Sequence, residues 1–354
     1  MFRSWRECGA AFSSANFLRT TFLENNSHSV FVLTAMAAQA TITKVKIEKG
    51  NGVLGPAFLA GYGALYAGML LAMRKAGDFD VTEPLFVLAI LGFGFPLAAW
   101  LMTLRVAPLR YEVANPQQEL RTVAVCLAVV VAFITWGLGW LHRLVPSDPA
   151  DSVAILAAKL AVFVALPAFL MKVQFGYRWR QLAPLSLPAR HVVAMIGMAL
   201  LMLAFQSVMG RGLRDLLSAH VPTGALLIGF PLTFVWLAVE AGVVEEFFFR
   251  VLLQTRLAAV LRSELAAIVL MSVIFGLAHA PGIYLRTAMT QESVQHPSVL
   301  MAVGYSIVIT SVAGFFLGVL WARTRNFAVV VVVHAMTDLL PGILPTMRSF
   351  HLLQ

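Results

Sequence analysis

Residues 239–250 read Val-Glu-Ala-Gly-Val-Val-Glu-Glu-Phe-Phe-Phe-Arg and set Glu240, Glu245 and Glu246 in an otherwise apolar stretch. A carboxylate at bilayer depth costs about 3 kcal/mol even on insertion scales, so intramembrane acids mark sites of function and require partners. Residues four apart share a helix face. Glu246 can therefore pair with Arg250, and His334 with Asp338, each within one helical turn. Glu245 is turned by about 100° from Glu246, so both acids cannot meet Arg250 equally well. The spacing separates their roles: Glu246 is neutralised by arginine, and Glu245 is left for chemistry. His279, in another apolar run, supplies a second imidazole. A carboxylate beside two imidazoles is a water-activating arrangement. Peptide hydrolysis also needs donors for the developing oxyanion, which His334 with Asp338 can supply or orient. Zinc held by the same groups is the rival use of them. Against it, there is no His-Glu-x-x-His helix, and His279 and His334 lie 55 positions apart (334 − 279) with no third ligand of equal quality. No metal and no cofactor is expected.

These side chains must be carried by membrane-crossing helices. The chain of 354 residues is 60% hydrophobic and 12% charged, about half the charge of a soluble domain. From Val53 onward, apolar runs of about 20 residues recur, each long enough to cross about 30 Å of hydrocarbon. Nine are predicted, near 53–73, 85–104, 122–141, 152–172, 192–209, 225–249, 264–281, 298–321 and 327–345. The fold class expected is an all-α polytopic bundle of eight to nine spans. Basic residues are richer in alternate connections: Lys44, Lys46 and Lys49; Arg105, Arg110 and Arg121; Lys172, Arg178, Arg180 and Arg190; Arg250, Arg256 and Arg262; Arg323 and Arg325. Basic residues collect in cytoplasmic loops, so the N-terminus is placed in the cytoplasm and the C-terminus outside. The net charge of +9 belongs to those loops; no basic patch interleaved with aromatics points to nucleic acid. Cys8 and Cys126 have no metal-type spacing and read as free thiols.

Counting from a turn near residue 258, Glu245 lies 13 residues before it and His279 lies 21 after, so both can reach a comparable depth. His334, seven residues into the last helix, is expected to be shallower by several ångström. The site would open toward the cytoplasmic half. Lys159 is expected to snorkel to an interface, Glu240 to be buried protonated or paired with another polar group, and Gln206 to pack. Residues 1–52 read as an N-terminal extension, open to three readings: a targeting peptide, though without a clear cleavage signature; a disordered segment; or an over-long start, with translation really beginning at Met36. Residues 174–191 read as an interfacial connection, and 282–297 as a polar surface loop.

Three motifs follow one another along the chain: Glu-Glu-x-x-x-Arg (Glu245, Glu246, Arg250), Phe-x-x-x-His (Phe275, His279) and His-x-x-x-Asp (His334, Asp338). Together they resemble the CPBP family of intramembrane proteases, which includes the type II CaaX prenyl endopeptidases and the Abi-like proteins. The resemblance covers residues 225–345, read as a protease core preceded by N-terminal transmembrane helices over 53–224. It implies a glutamate-type endopeptidase. The residue matching Glu245 activates water with the one matching His279, and those matching His334 and Asp338 form the oxyanion site. A metal-dependent mechanism is the alternative within that family. The last position is often Asn there, and an ionised Asp338 cannot donate to an oxyanion, so it must carry a proton or act by orienting His334. The substrate class implied is a membrane-associated or lipidated protein, the setting a lipid bilayer, and the location a plasma (inner) membrane. The rivals are a non-proteolytic immunity or scaffold factor of the same family, and a transporter. A transporter would string polar residues across the whole bilayer, whereas here they cluster in the last four predicted helices.

Overall fold

The computed structural model describes residues 52–77, 79–184, 186–285 and 298–353. The N-terminal extension up to residue 51 and positions 286–297 of the polar loop lie outside the described residues. Among those described there are helices and turns but no strand. Nine helices among the described residues are long and apolar enough to cross a membrane: α1 Leu54–Ala76, α2 Thr82–Met102, α3 Pro116–Leu144, α4 Ala150–Phe175, α5 Ala189–Met209, α6 Thr223–Leu261, α7 Glu264–Leu285, α8 Val299–Thr324 and α9 Phe327–Ser349. With no water in hydrocarbon to satisfy backbone groups, an apolar chain of this kind has to be helical.

The core lies at the C-terminal end of the chain. Half or more of the apolar windows of α7, α8 and α9 (50%, 56% and 56%) are buried against protein, compared with 11% in α1 and α2. The outer helices therefore turn most of their surface away from the protein, while α6–α9 pack on one another. Close approach is made by glycine. Gly314 and Gly318, one turn apart on α8, bring that helix against α7, where a Cβ at Gly314 would lie 2.9 Å from Phe275 Cδ1 and one at Gly318 3.1 Å from Met271 Cε, while their carbonyls meet α6: Arg250 Nη2 reaches the Gly314 carbonyl (3.4 Å) and Gln254 Nε2 donates to the Gly318 carbonyl (2.9 Å). Such small-xxx-small spacing is how membrane helices bring backbones together.

Helix α6 differs from expectation. It does not end near residue 249 but continues to Leu261, and Arg250 and Arg256, expected in a cytoplasmic connection, are buried within it. Each is held by an acid: Arg250 by Glu246, and Arg256 by Glu119 of α3 (Nε to Oε2, 3.1 Å). Arg256 also donates to the Val251 carbonyl (2.8 Å). Glu119 in turn accepts from the hydroxyl of Tyr177 (3.0 Å). Burial, and then the Glu119 carboxylate, push that phenol up to about 12, so it stays a donor at any physiological pH. Of the three arginines, Arg262 alone stands at the connection, in the left-handed region with φ 50°. Ser263 Oγ then caps α7 by accepting from the Ala266 amide (3.2 Å).

The corner between α6 and α7 thus falls at residues 262–263 rather than near 258. Glu245 lies 17 residues before Arg262 (262 − 245) and His279 lies 16 after Ser263 (279 − 263), which levels them more closely than the expected offsets did. At α9, the Asn326 side chain accepts from the Ala328 amide (3.1 Å) and donates to the Ser186 carbonyl (2.8 Å), fixing where the last helix begins. Lys159 of α4 does not snorkel. It pairs with Glu240 of α6, so both charges are met inside the bundle.

Candidate active site

Glu245 and Glu246 occupy a single α-helical turn, Val244–Glu246, between two π-helical stretches of α6, Ala238–Val243 and Phe247–Gln254. Wide turns of this kind recur where a helix must re-aim side chains at a site. Glu246 is completely buried. Its Oε2 lies 3.2 Å from Arg250 Nε, also completely buried, and its Oε1 lies 2.6 Å from His334 Nδ1. The Arg250 guanidinium is stacked over the Phe275 ring, 4.3 Å from its centre. A desolvated cation over an aromatic face gains about 2 kcal/mol, which helps to hold it in an apolar surround.

Glu245 is partly exposed, with 16% of its side chain accessible, and its Oε2 lies 3.7 Å from His279 Nε2 and 3.9 Å from His334 Nε2. Both separations are longer than a hydrogen bond. His334 Nε2 is also 3.4 Å from Asp338 Oδ2, one turn further along α9. All six side chains, Glu245, Glu246, Arg250, His279, His334 and Asp338, therefore lie in one cluster built by α6, α7 and α9. His334 is level with both glutamates rather than several ångström shallower.

Hydrogen-bond chemistry assigns part of the proton inventory. His279 Nδ1 is 2.8 Å from the Phe275 carbonyl, an oxygen that can only accept, so Nδ1 carries a hydrogen and the neutral ring presents a bare Nε2 toward Glu245. His334 Nδ1 faces the Glu246 carboxylate at 2.6 Å, so one proton lies in that contact, and a further proton would make Nε2 a donor. Phe275 serves three groups: its carbonyl sets the His279 tautomer, its ring underlies Arg250, and its edge lies beside His334, with centroids 6.5 Å apart.

The sequence reading missed the bond between Glu246 and His334, because it matched Glu246 to Arg250 alone. It also missed Gly314, whose carbonyl faces Arg250 and where a Cβ would come within 2.9 Å of Phe275 Cδ1. The small-xxx-small pair Gly314 and Gly318 is visible in the sequence and could have marked the close approach. Among the described residues, no group of three or more His, Cys, Asp or Glu side chains has the spacing to hold a metal ion.

Residues 227–340 match the family model described as type II CAAX prenyl endopeptidase Rce1-like. The match takes in α6 almost from its start, all of α7 and α8, and α9 as far as Leu340; α1–α5 lie outside it. No curated protein and no solved structure matches the chain.

Proposed function

We propose, from a chain whose residues 227–340 form a domain of the CPBP family of membrane proteases, that it hydrolyses a peptide bond of a membrane-associated or lipid-tethered protein with water activated by Glu245. The observation that carries this reading is the contrast between adjacent glutamates. Glu246 is fully buried and engaged by Arg250 and His334, while Glu245 is partly accessible and has both imidazole Nε2 atoms within 4 Å.

In this reaction the Glu245 carboxylate takes a proton from water as the water oxygen bonds to the scissile carbonyl carbon. The same carboxyl returns that proton to the leaving amine as the C–N bond breaks. The bare Nε2 of His279 accepts the second hydrogen of the water and aims its lone pair. His334 Nε2 and Asp338 face the oxyanion. His334 can donate there when the Glu246–His334 pair holds two protons, one in the 2.6 Å contact and one at Nε2. Arg250, 3.2 Å from Glu246 Oε2, holds that carboxyl in place. We assign catalysis to residues 225–345, a supporting role to the helices of 53–224, and the protein to a plasma (inner) membrane.

Glu245→Gln removes the base and keeps the shape, so cleavage should be abolished while melting stays parental. Cells carrying Glu245→Ala in place of the parental chain should accumulate an uncleaved precursor in their membrane fraction. A purified, folded Glu245→Gln protein that cleaves near the parental rate would remove Glu245 from the reaction.

A further inference from the structure

Helix α9 carries two of the site's groups, His334 and Asp338, and its backbone ladder loses a donor just beyond them, at Pro341 inside the helix. Pro341 has no N–H, so the Thr337 carbonyl, four residues earlier, lacks its helical donor, and the proline ring crowds that carbonyl. A bare carbonyl inside a bilayer has no water to turn to. The donor comes from α5. Gln206, 7% exposed, directs Nε2 to the carbonyls of both Met336 and Thr337 at 2.7 Å, and its Oε1 lies 3.4 Å from the Leu340 amide. The orientation of the amide is forced by chemistry, since the two carbonyls can only accept and the amide N–H can only donate.

The same point is braced from a second side. In the short helix Gly212–Ser218, a Cβ at Gly212 would come 2.5 Å from the Leu340 carbonyl carbon and 2.6 Å from its oxygen, so the backbones touch where only glycine fits. Gln206 therefore holds α9 at residues 336, 337 and 340, on both sides of Asp338. Asp338 itself is half exposed and meets the site through its 3.4 Å contact with His334 Nε2, so its aim depends on where this backbone is held.

We propose that Gln206 is a positioning residue, whose amide clamps α9 at the donor gap left by Pro341 and so sets Asp338 and His334 against Glu245. This rests on the hydrolytic reading of the site given above. A leucine in its place keeps the volume and loses every hydrogen bond. A glutamate keeps the length but can donate to a carbonyl only when protonated.

The test measures kcat, KM and their pH dependence on one substrate for the parent, Glu245→Gln, Gln206→Leu and Gln206→Glu, with the melting temperature of each in the same detergent. Gln206→Leu is expected to lose between about tenfold and 100-fold in kcat, the cost of an ångström-scale misplacement, with KM little changed. The ratio of Gln206→Glu to parent should rise as pH falls, because acid supplies its donor proton; a purely structural role gives a ratio flat in pH. The second readout needs no catalysis. In a background with Cys8 and Cys126 replaced, the thiol of Asp338→Cys is labelled with a water-soluble maleimide, with and without Gln206→Leu. A changed labelling rate supports the clamp. Parental kcat and unchanged labelling in Gln206→Leu overturn the clamp while leaving the protease reading standing. An active Glu245→Gln overturns the protease reading, while the labelling still decides the clamp. If Gln206→Leu does not fold, the pH ratio of Gln206→Glu decides, a flat ratio counting against the proposal.

Discussion

Arg250→Ala would leave Glu246, with none of its side chain exposed, as a buried acid without its cation. Breaking a buried pair from one side costs about 3–5 kcal/mol, because the remaining charge keeps its desolvation penalty. The loss of the guanidinium stacked 4.3 Å from the Phe275 ring adds about 2 kcal/mol for a desolvated cation–π contact. A total near 5 kcal/mol is comparable to the whole stability of many domains, so the variant should express poorly and melt well below the parent. Glu246→Gln combined with Arg250→Ala removes both charges and should recover about 2 kcal/mol relative to the sum of the single changes, within the range of measured couplings between contacting residues. Activity should not return with stability in that double variant, since His334 Nδ1 has lost the carboxylate that orients it at 2.6 Å. The assay is a double-mutant cycle read by denaturant midpoint in detergent, with cleavage measured on each protein that folds. Parental melting of Arg250→Ala would show that the two side chains do not form a buried pair. A double variant no more stable than the additive sum would show that their charges are not coupled.

Position 338 separates two uses of an acid. If Asp338 donates to the oxyanion, Asn supplies an N–H at the same reach, so Asp338→Asn should retain most of kcat/KM while Asp338→Ala falls by about 100-fold, as for the loss of one oxyanion donor. An Asn variant as inactive as the Ala variant would assign Asp338 to holding the His334 ring, and an active Ala variant would remove it from the site. Chelation tests the remaining alternative: with Glu245 and His279 holding water directly, exhaustive chelation should leave the rate unchanged and elemental analysis should find no stoichiometric zinc. Activity lost to chelator and restored by zinc alone would make the same side chains metal ligands.

The membrane bundle was legible in the sequence because hydrocarbon imposes a length and leaves the backbone no choice but a helix. Nine apolar runs became nine spans, among the described residues, with ends shifted by a few residues except where buried charge extended α6. Local pairs were legible for the same reason. A period of 3.6 residues puts Glu246 beside Arg250, and His334 beside Asp338, whatever else the chain does. Helical periodicity says which residues share a face, and nothing about what stands opposite that face. Glu246 with His334 (88 positions apart), Lys159 with Glu240 (81 apart) and Arg256 with Glu119 (137 apart) all join different helices. Two of these pairs decide which charges stay inside the bilayer, and so why Lys159 and Arg256 are not at an interface. The third decides that Glu246 serves His334 as well as Arg250, and that Glu245 is the acid left partly accessible. Those choices depended on helix packing, on glycines that admit a neighbour's backbone and on a corner at residues 262–263, which only the assembled chain specifies.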